Sequence, residues 1–160
     1  MLNQPMPITV PDVVGVNLKK KLKEGVTATD LVLSLTNLLR KKNVVGKFVE
    51  FYGEGIKKLS LPDRATISNM APEYGATCGF FPVDNVTINY LKLTARSNEH
   101  INLVKKYLKL QNLFNEKINK KIKFNKKIYF ELDKIEPSVA GPKRPQDLVK
   151  IGRASCRERV

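Results

Sequence analysis

Asp63-Arg-Ala-Thr-Ile-Ser-Asn-Met-Ala-Pro-Glu-Tyr-Gly-Ala-Thr77, followed by Cys78-Gly-Phe-Phe-Pro-Val-Asp84, decides how this 160-residue chain is read. It reads as a capped helix, an interruption at Pro72 and then a buried strand. Ser60 lies three residues before Asp63, so its hydroxyl can accept from an early backbone N–H while the carboxylate reaches back to the cap. Pro62 falls in the first turn, where a missing N–H is tolerated. Pro72 removes one helical hydrogen bond and crowds the Ser68 carbonyl, so the helix is expected to bend or restart between Asn69 and Glu73. Asn69 and Glu73 are four residues apart and would share a face. An amide beside a carboxylate, with Gly75 and Gly79 following, suits a polar pocket next to a cofactor. On spacing alone, an ordinary solvated face with Pro72 as its stop is the simpler reading.

Working outward, strand and helix signals alternate. Val13-Val-Gly-Val16 and Ile8-Thr-Val10 are β-branched around Pro11, as expected of strand residues near a sheet edge. Thr27-Ala-Thr-Asp30 supplies a helix cap, Leu31, Leu35, Leu38 and Leu39 repeat at helical spacing, and Arg40, Lys41 and Lys42 complement the carboxyl end. Phe48-Val-Glu-Phe-Tyr52 is a short apolar strand leading into Gly53-Glu-Gly55. Open α/β sheets hold ligands at such strand ends, although turn geometry alone accounts for the glycine pair. Cys78-Gly-Phe-Phe81 gives another strand, and Asp84 can cap a helix running through Tyr90 and Leu93. A second helix is expected over 98–114, with Ile101, Val104, Leu108 and Gln111 on one side and Leu103, Tyr107, Leu110 and Phe114 widening the apolar arc. His100, in its first turn, has no ligand-type residue at metal-binding spacing and reads as a surface residue. Ile128-Tyr-Phe-Glu-Leu-Asp133 alternates as a half-buried strand, and 137–147, with three prolines, reads as an irregular connector in which Lys143 and Arg144 could meet an anion. The pattern is α/β: mostly parallel strands at 13–16, 48–52 and 78–81, with helices covering the sheet.

Composition bounds the function classes. Hydrophobic residues make up 42% of the chain, enough for an ordinary core. No run reaches transmembrane length, and Met1-Leu-Asn-Gln-Pro-Met-Pro7 has no basic segment followed by an apolar one, so this stretch does not read as a secretion signal. Ile151-Gly-Arg-Ala-Ser-Cys-Arg-Glu-Arg-Val160 back-translates to a common short-read sequencing adapter, and residues 150–160 are read as a non-native tail. The formal net charge is +14; removing 151–160, with Arg153, Arg157, Arg159 and Glu158, from 29 basic and 15 acidic residues leaves 26 and 14, a charge of +12. Such a charge raises nucleic acid as a partner. Much of it, however, is lysine interspersed with asparagine and isoleucine over 115–127, which reads as a solvated excursion. Outside the tail Cys78 is the only cysteine. One thiol forms no internal disulfide, fits a reducing compartment and cannot hold an iron–sulfur cluster.

Residues 63–84 and Val44-Val-Gly-Lys-Phe-Val-Glu-Phe-Tyr-Gly-Glu-Gly55 together resemble the aconitase family, in the branch that contains bacterial aconitase A and the cytosolic aconitase that doubles as iron regulatory protein. Gly25-Val-Thr-Ala-Thr-Asp-Leu-Val-Leu33 and Pro137-Ser-Val-Ala-Gly-Pro-Lys-Arg-Pro-Gln-Asp147 agree with it. The resemblance covers most of 1–149 and implies an internal fragment, incomplete at both ends, of the three-layer α/β/α region that forms the family's domains 1 to 3. Met1 then aligns with an internal methionine. The resemblance implies a lyase that interconverts citrate and isocitrate through cis-aconitate at a 4Fe-4S cluster, with this fragment inactive alone. Related 2-methylisocitrate dehydratases and the RNA-binding regulatory aconitases are the alternatives. The cluster cysteines, the substrate-clamping arginines and the serine base fall outside this stretch. Asn69 and Glu73 match the family's Asn-Met-x-x-Glu element, which implies Asn69 against the cluster's sulfur ligands and Glu73 facing the open iron and its water. Cys78 sits where the family does not hold cysteine constant, and reads as a small buried apolar group. A cytoplasmic protein, or a mitochondrial one in a eukaryotic source, that is monomeric at full length and acts on a small tricarboxylic acid without a membrane is the remaining implication.

Overall fold

The structure, a computed structural model, describes residues 5, 7, 9–114, 122–141, 143, 144 and 147–151. Four strands follow the apolar runs: β1 (Val13–Lys19), β2 (Phe48–Tyr52), β3 (Cys78–Phe80) and β4 (Lys126–Glu131). All pairings among them are parallel, in the order β3-β2-β1-β4. The sequence placed Val13 to Val16 near a sheet edge because of Pro11, but β1 is an inner strand. Pro11 lies before the first ladder residue, so it removes no sheet hydrogen bond. Thr9 and Val10 belong to no strand, and Ile8 lies outside the described residues.

The helices begin at the caps the sequence marked. Thr27 and Asp30 form a capping box for α1 (Ala28–Lys41), and Ser60 and Asp63 form one for α2 (Leu61–Asn69). A single-turn helix, α3 (Ala71–Tyr74), follows the break. Asp84 caps α4 (Asn85–Leu93) by accepting from Val86 and Thr87, and Ser97 caps α5 (Asn98–Leu110). The expected helix over 98–114 thus ends four residues early, where Asn112 takes a left-handed φ of 56°.

Alternation along the strands divides the sheet into two faces. Val14, Val16 and Leu18 of β1, with Val49 and Phe51 of β2, point to one face and are fully buried against Leu31, Leu35 and Leu39 of α1 and Ile67, Ala71 and Tyr74 of α2 and α3. Each buried side chain of this size contributes about 1.5–3 kcal/mol. On the other face, Phe124 lies across Gly15, where a Cβ would strike its ring, and stacks on Tyr52 at 5.0 Å. Phe48, Phe80 and Tyr129 on that face remain exposed. The end of the lysine-rich excursion therefore belongs to the fold: Lys126 and Lys127 open β4, while 115–121 lie outside the described residues.

The proline-containing segment read as an irregular connector instead supplies β5 (Ser138–Ala140), paired antiparallel with β6 (Leu148–Lys150). Its register is set from a distance. Asp30, at the start of α1, accepts from the Ser138 N–H at 2.7 Å, 108 residues away. Of the apolar arc expected on α5 only Ile101 is buried, and Leu103, Tyr107 and Leu110 face solvent. No described helix is long and apolar enough to cross a membrane.

Candidate active site

The break between α2 and α3 is built by three residues. Pro72 cannot donate to the Ser68 carbonyl, so the α-helix stops at Asn69, and Met70 (φ −85°, ψ 16°) joins it to the next turn. Gly75, at φ 88°, closes that turn in the left-handed conformation, with its N–H donating to Ala71 at 2.9 Å and that of Ala76 to the same carbonyl at 3.0 Å. The segment then returns to the sheet through Thr77 N–H to Lys47 O, 2.9 Å, and Gly46 N–H to Gly75 O, 3.0 Å. Both bonds lie at the amino end of β2. The site is therefore at the opposite end of the sheet from the Gly53-Glu-Gly55 turn. That turn is shaped by packing: Gly53 (φ 107°) and Gly55 leave no room for a Cβ beside the Leu18 carbonyl.

Tyr74 pins the break. It is fully buried, and its hydroxyl donates to the Ile67 carbonyl in the last turn of α2 at 3.2 Å. Burial, then the nearby Cys78 and Glu73, push its phenol well above the usual range, so it stays a neutral donor. Glu73, one residue before it, is half-buried, and its Oε2 is buried with no hydrogen-bond partner among the described residues. A carboxylate oxygen stripped of water without a partner is costly. It fits a site that awaits a proton-bearing group. Asn69 stands exposed at the end of α2, and no described hydrogen bond joins its side chain to Glu73. The two residues flank the break rather than line one continuous helix face.

The helix that carries the site is anchored by a residue the sequence reading passed over. Arg64 is 1% exposed, donates from Nη2 to Ile56 O at 2.9 Å and to Asp84 Oδ2 at 3.0 Å, and leaves Nε and Nη1 without described partners. The signal was present, since Arg64, Ile67, Ala71 and Tyr74 recur at helical spacing and all are buried. Asp84, marked only as a cap, is also the counter-charge. Cys78 is a half-buried free thiol, His100 is exposed, and Lys143 and Arg144 are exposed on the β5–β6 connection.

Residues 1–159 match the Aconitase family (aconitate hydratase). The chain belongs to the aconitase family. Aconitate hydratase A of Legionella pneumophila subsp. pneumophila is 59% identical over 151 residues, which cover 94% of this chain and 17% of the relative. The corresponding protein of Pseudomonas aeruginosa is 55% identical, covering 94% of this chain and 16% of its own length. That of Escherichia coli K12 is 54% identical, with shares of 94% and 17%. The chain thus spans about a sixth of these curated relatives' length. Among the described residues no three His, Cys, Asp or Glu side chains converge as a metal site. A cluster would draw its ligands from elsewhere in an aconitase, while the orphaned Glu73 oxygen suits a place beside one.

Proposed function

We propose that this chain is part of an aconitate hydratase, a hydro-lyase of the tricarboxylic acid cycle that interconverts citrate and isocitrate through cis-aconitate. Identity of 54–59% to three aconitate hydratase A proteins along nearly the whole chain supports the reading. The structural observation that carries it is the buried, unpartnered Oε2 of Glu73 at a pinned helix break. When bound, a 4Fe-4S cluster with one open iron supplies a Lewis acid that eases loss of a hydroxyl group. This chain's part is the carboxylate. Glu73 Oε2, shielded from bulk solvent, accepts a hydrogen bond from the water that leaves or enters the substrate and holds its proton as the charge on that oxygen changes. Met70, Pro72 and the Tyr74–Ile67 bond fix where that oxygen points. Asn69, at the end of α2, would help to hold the cluster's sulfur ligands through its amide and so tune the cluster. The fragment lacks the substrate-clamping residues and is inactive alone; the whole protein works in the cytoplasm as a monomer. The full-length protein, purified anaerobically with its cluster intact, is expected to turn over citrate and isocitrate. A fully loaded protein that processed neither would overturn the proposal.

A further inference from the structure

Arg64 and Asp84 close the stretch 64–84 on itself. Arg64, early in α2, donates from Nη2 to Asp84 Oδ2 at 3.0 Å, 20 residues on, and to the Ile56 carbonyl at 2.9 Å, in the turn at Glu54–Lys58 that follows β2. The Arg64 side chain is 1% exposed and that of Asp84 14%. The other oxygen of Asp84 accepts from the Val86 N–H at 2.9 Å and the Thr87 N–H at 3.4 Å, so one carboxylate holds both the start of α4 and the body of α2. Between the two ends lies everything that aims Glu73: the last turn of α2, the break at Met70, and Tyr74. The Tyr74 hydroxyl meets the Ile67 carbonyl on one side, and on the other it fills the space that a Cβ on Gly79 of β3 would need. Gly79 pairs in register with Val49 of β2, an inner strand. Helix, break and strand are therefore one closed unit seated on the sheet.

A buried ion pair is a poor device for stability alone, because desolvation offsets much of the attraction and apolar side chains of like volume often do as well. What it imposes here is register. The guanidinium has two described partners, with Nε and Nη1 buried and unpartnered among the described residues, so a slide or rotation of α2 would strip it of both at once. We propose that Arg64 and Asp84 are positioning residues for the reaction: by fixing α2 against the turn after β2 and the start of α4, they set where the Glu73 carboxylate points. The inference rests on the role proposed for Glu73 and goes beyond it, since it makes turnover depend on two side chains in no described contact with Glu73.

Asp84→Asn separates the pair from the cap, because an asparagine side-chain oxygen still accepts from the first N–H groups of α4 while Arg64 loses its counter-charge. In the full-length protein with its cluster loaded, assayed well below the melting temperature, Asp84→Asn is expected to lower kcat by about 10-fold with KM for citrate unchanged. Added to Glu73→Gln, it is expected to lower kcat no further, because its effect passes through the Glu73 carboxylate. Unchanged kcat in Asp84→Asn, or the same loss in both backgrounds as a merely structural role would give, overturns the proposal. Should Asp84→Asn fail to fold, Arg64→Met removes the buried charge together with its desolvation cost and carries the same two expectations. Full turnover in Glu73→Gln alone defeats the role of Glu73 and this inference with it; because that variant keeps the pair intact, the two failures are told apart.

Discussion

Two carboxylates mark two regions of this chain, and they are treated in opposite ways. Asp30, at the start of α1, is 5% exposed and fully engaged: Oδ2 accepts from the Thr27 N–H at 2.8 Å and hydroxyl at 2.7 Å, and Oδ1 from the Ser138 N–H at 2.7 Å. Glu73, at the break between α2 and α3, keeps one oxygen buried with no described partner. Burial works against ionised Asp30, but its three hydrogen bonds outweigh it and hold the carboxyl below the usual range. The difference separates a carboxylate whose hydrogen bonds stabilise the fold from one whose buried oxygen the fold leaves unpartnered, the oxygen to which the proposed function gives the chemistry. Polar satisfaction, more than burial, tells them apart.

The largest expected effect tests the anchoring of the site. Asp84→Ala in the full-length protein leaves the Arg64 guanidinium buried without a counter-charge, at a cost of about 3–5 kcal/mol. Denaturant unfolding of the wild type and variant, followed by amide exchange in α2 and α4, should show both helices losing protection. A loss below about 1 kcal/mol would mean that the pair does not anchor α2.

Next comes Asp30→Ala, which removes three hydrogen bonds and strands the Ser138 N–H, for about 3 kcal/mol. Its pH dependence follows from the lowered folded-state value. The stabilisation is complete above the unfolded value near 3.8 and is lost as pH falls through the folded one. The melting-temperature gap between wild type and Asp30→Asn should therefore be constant from pH 7 to about 5 and close below about pH 4. A gap that widened in acid would show that the Asp30 carboxylate does not stabilise the fold through these bonds.

Smaller still is Tyr74→Phe, which removes the bond across the break to the Ile67 carbonyl and costs about 1 kcal/mol. Turnover should fall with it, because the backbone beside Glu73 is no longer pinned. Unchanged turnover would separate the pin from the site.

How much of this could be read from the sequence depended on the range of the interaction. Ser60 with Asp63, Thr27 with Asp30, and Asp84 announced their helices because caps act within three residues. Pro72 announced the break for the same reason. β1 was misplaced because a proline nearby says nothing about which strands lie on either side. The β5–β6 hairpin was missed because what fixes it is Asp30, 108 residues from Ser138. Arg64 was hidden by its type, as a buried arginine on an apolar stripe becomes legible only once Asp84, 20 residues on, is seen to meet it. Asn69 and Glu73 entered through family resemblance; their spacing suggested a shared face on a bent helix, and the break at Met70 leaves them flanking it instead.

The most direct measurement is turnover of Glu73→Gln in the full-length protein, with cluster content and melting temperature recorded on the same sample. Because Glu73 Oε2 has no described partner to lose, the variant should keep an unchanged or slightly raised melting temperature and full cluster content while citrate turnover falls by about 100-fold. Full turnover with an intact cluster would contradict it, and so would a large loss of stability, which would place Glu73 with Asp30 among the carboxylates that hold the fold.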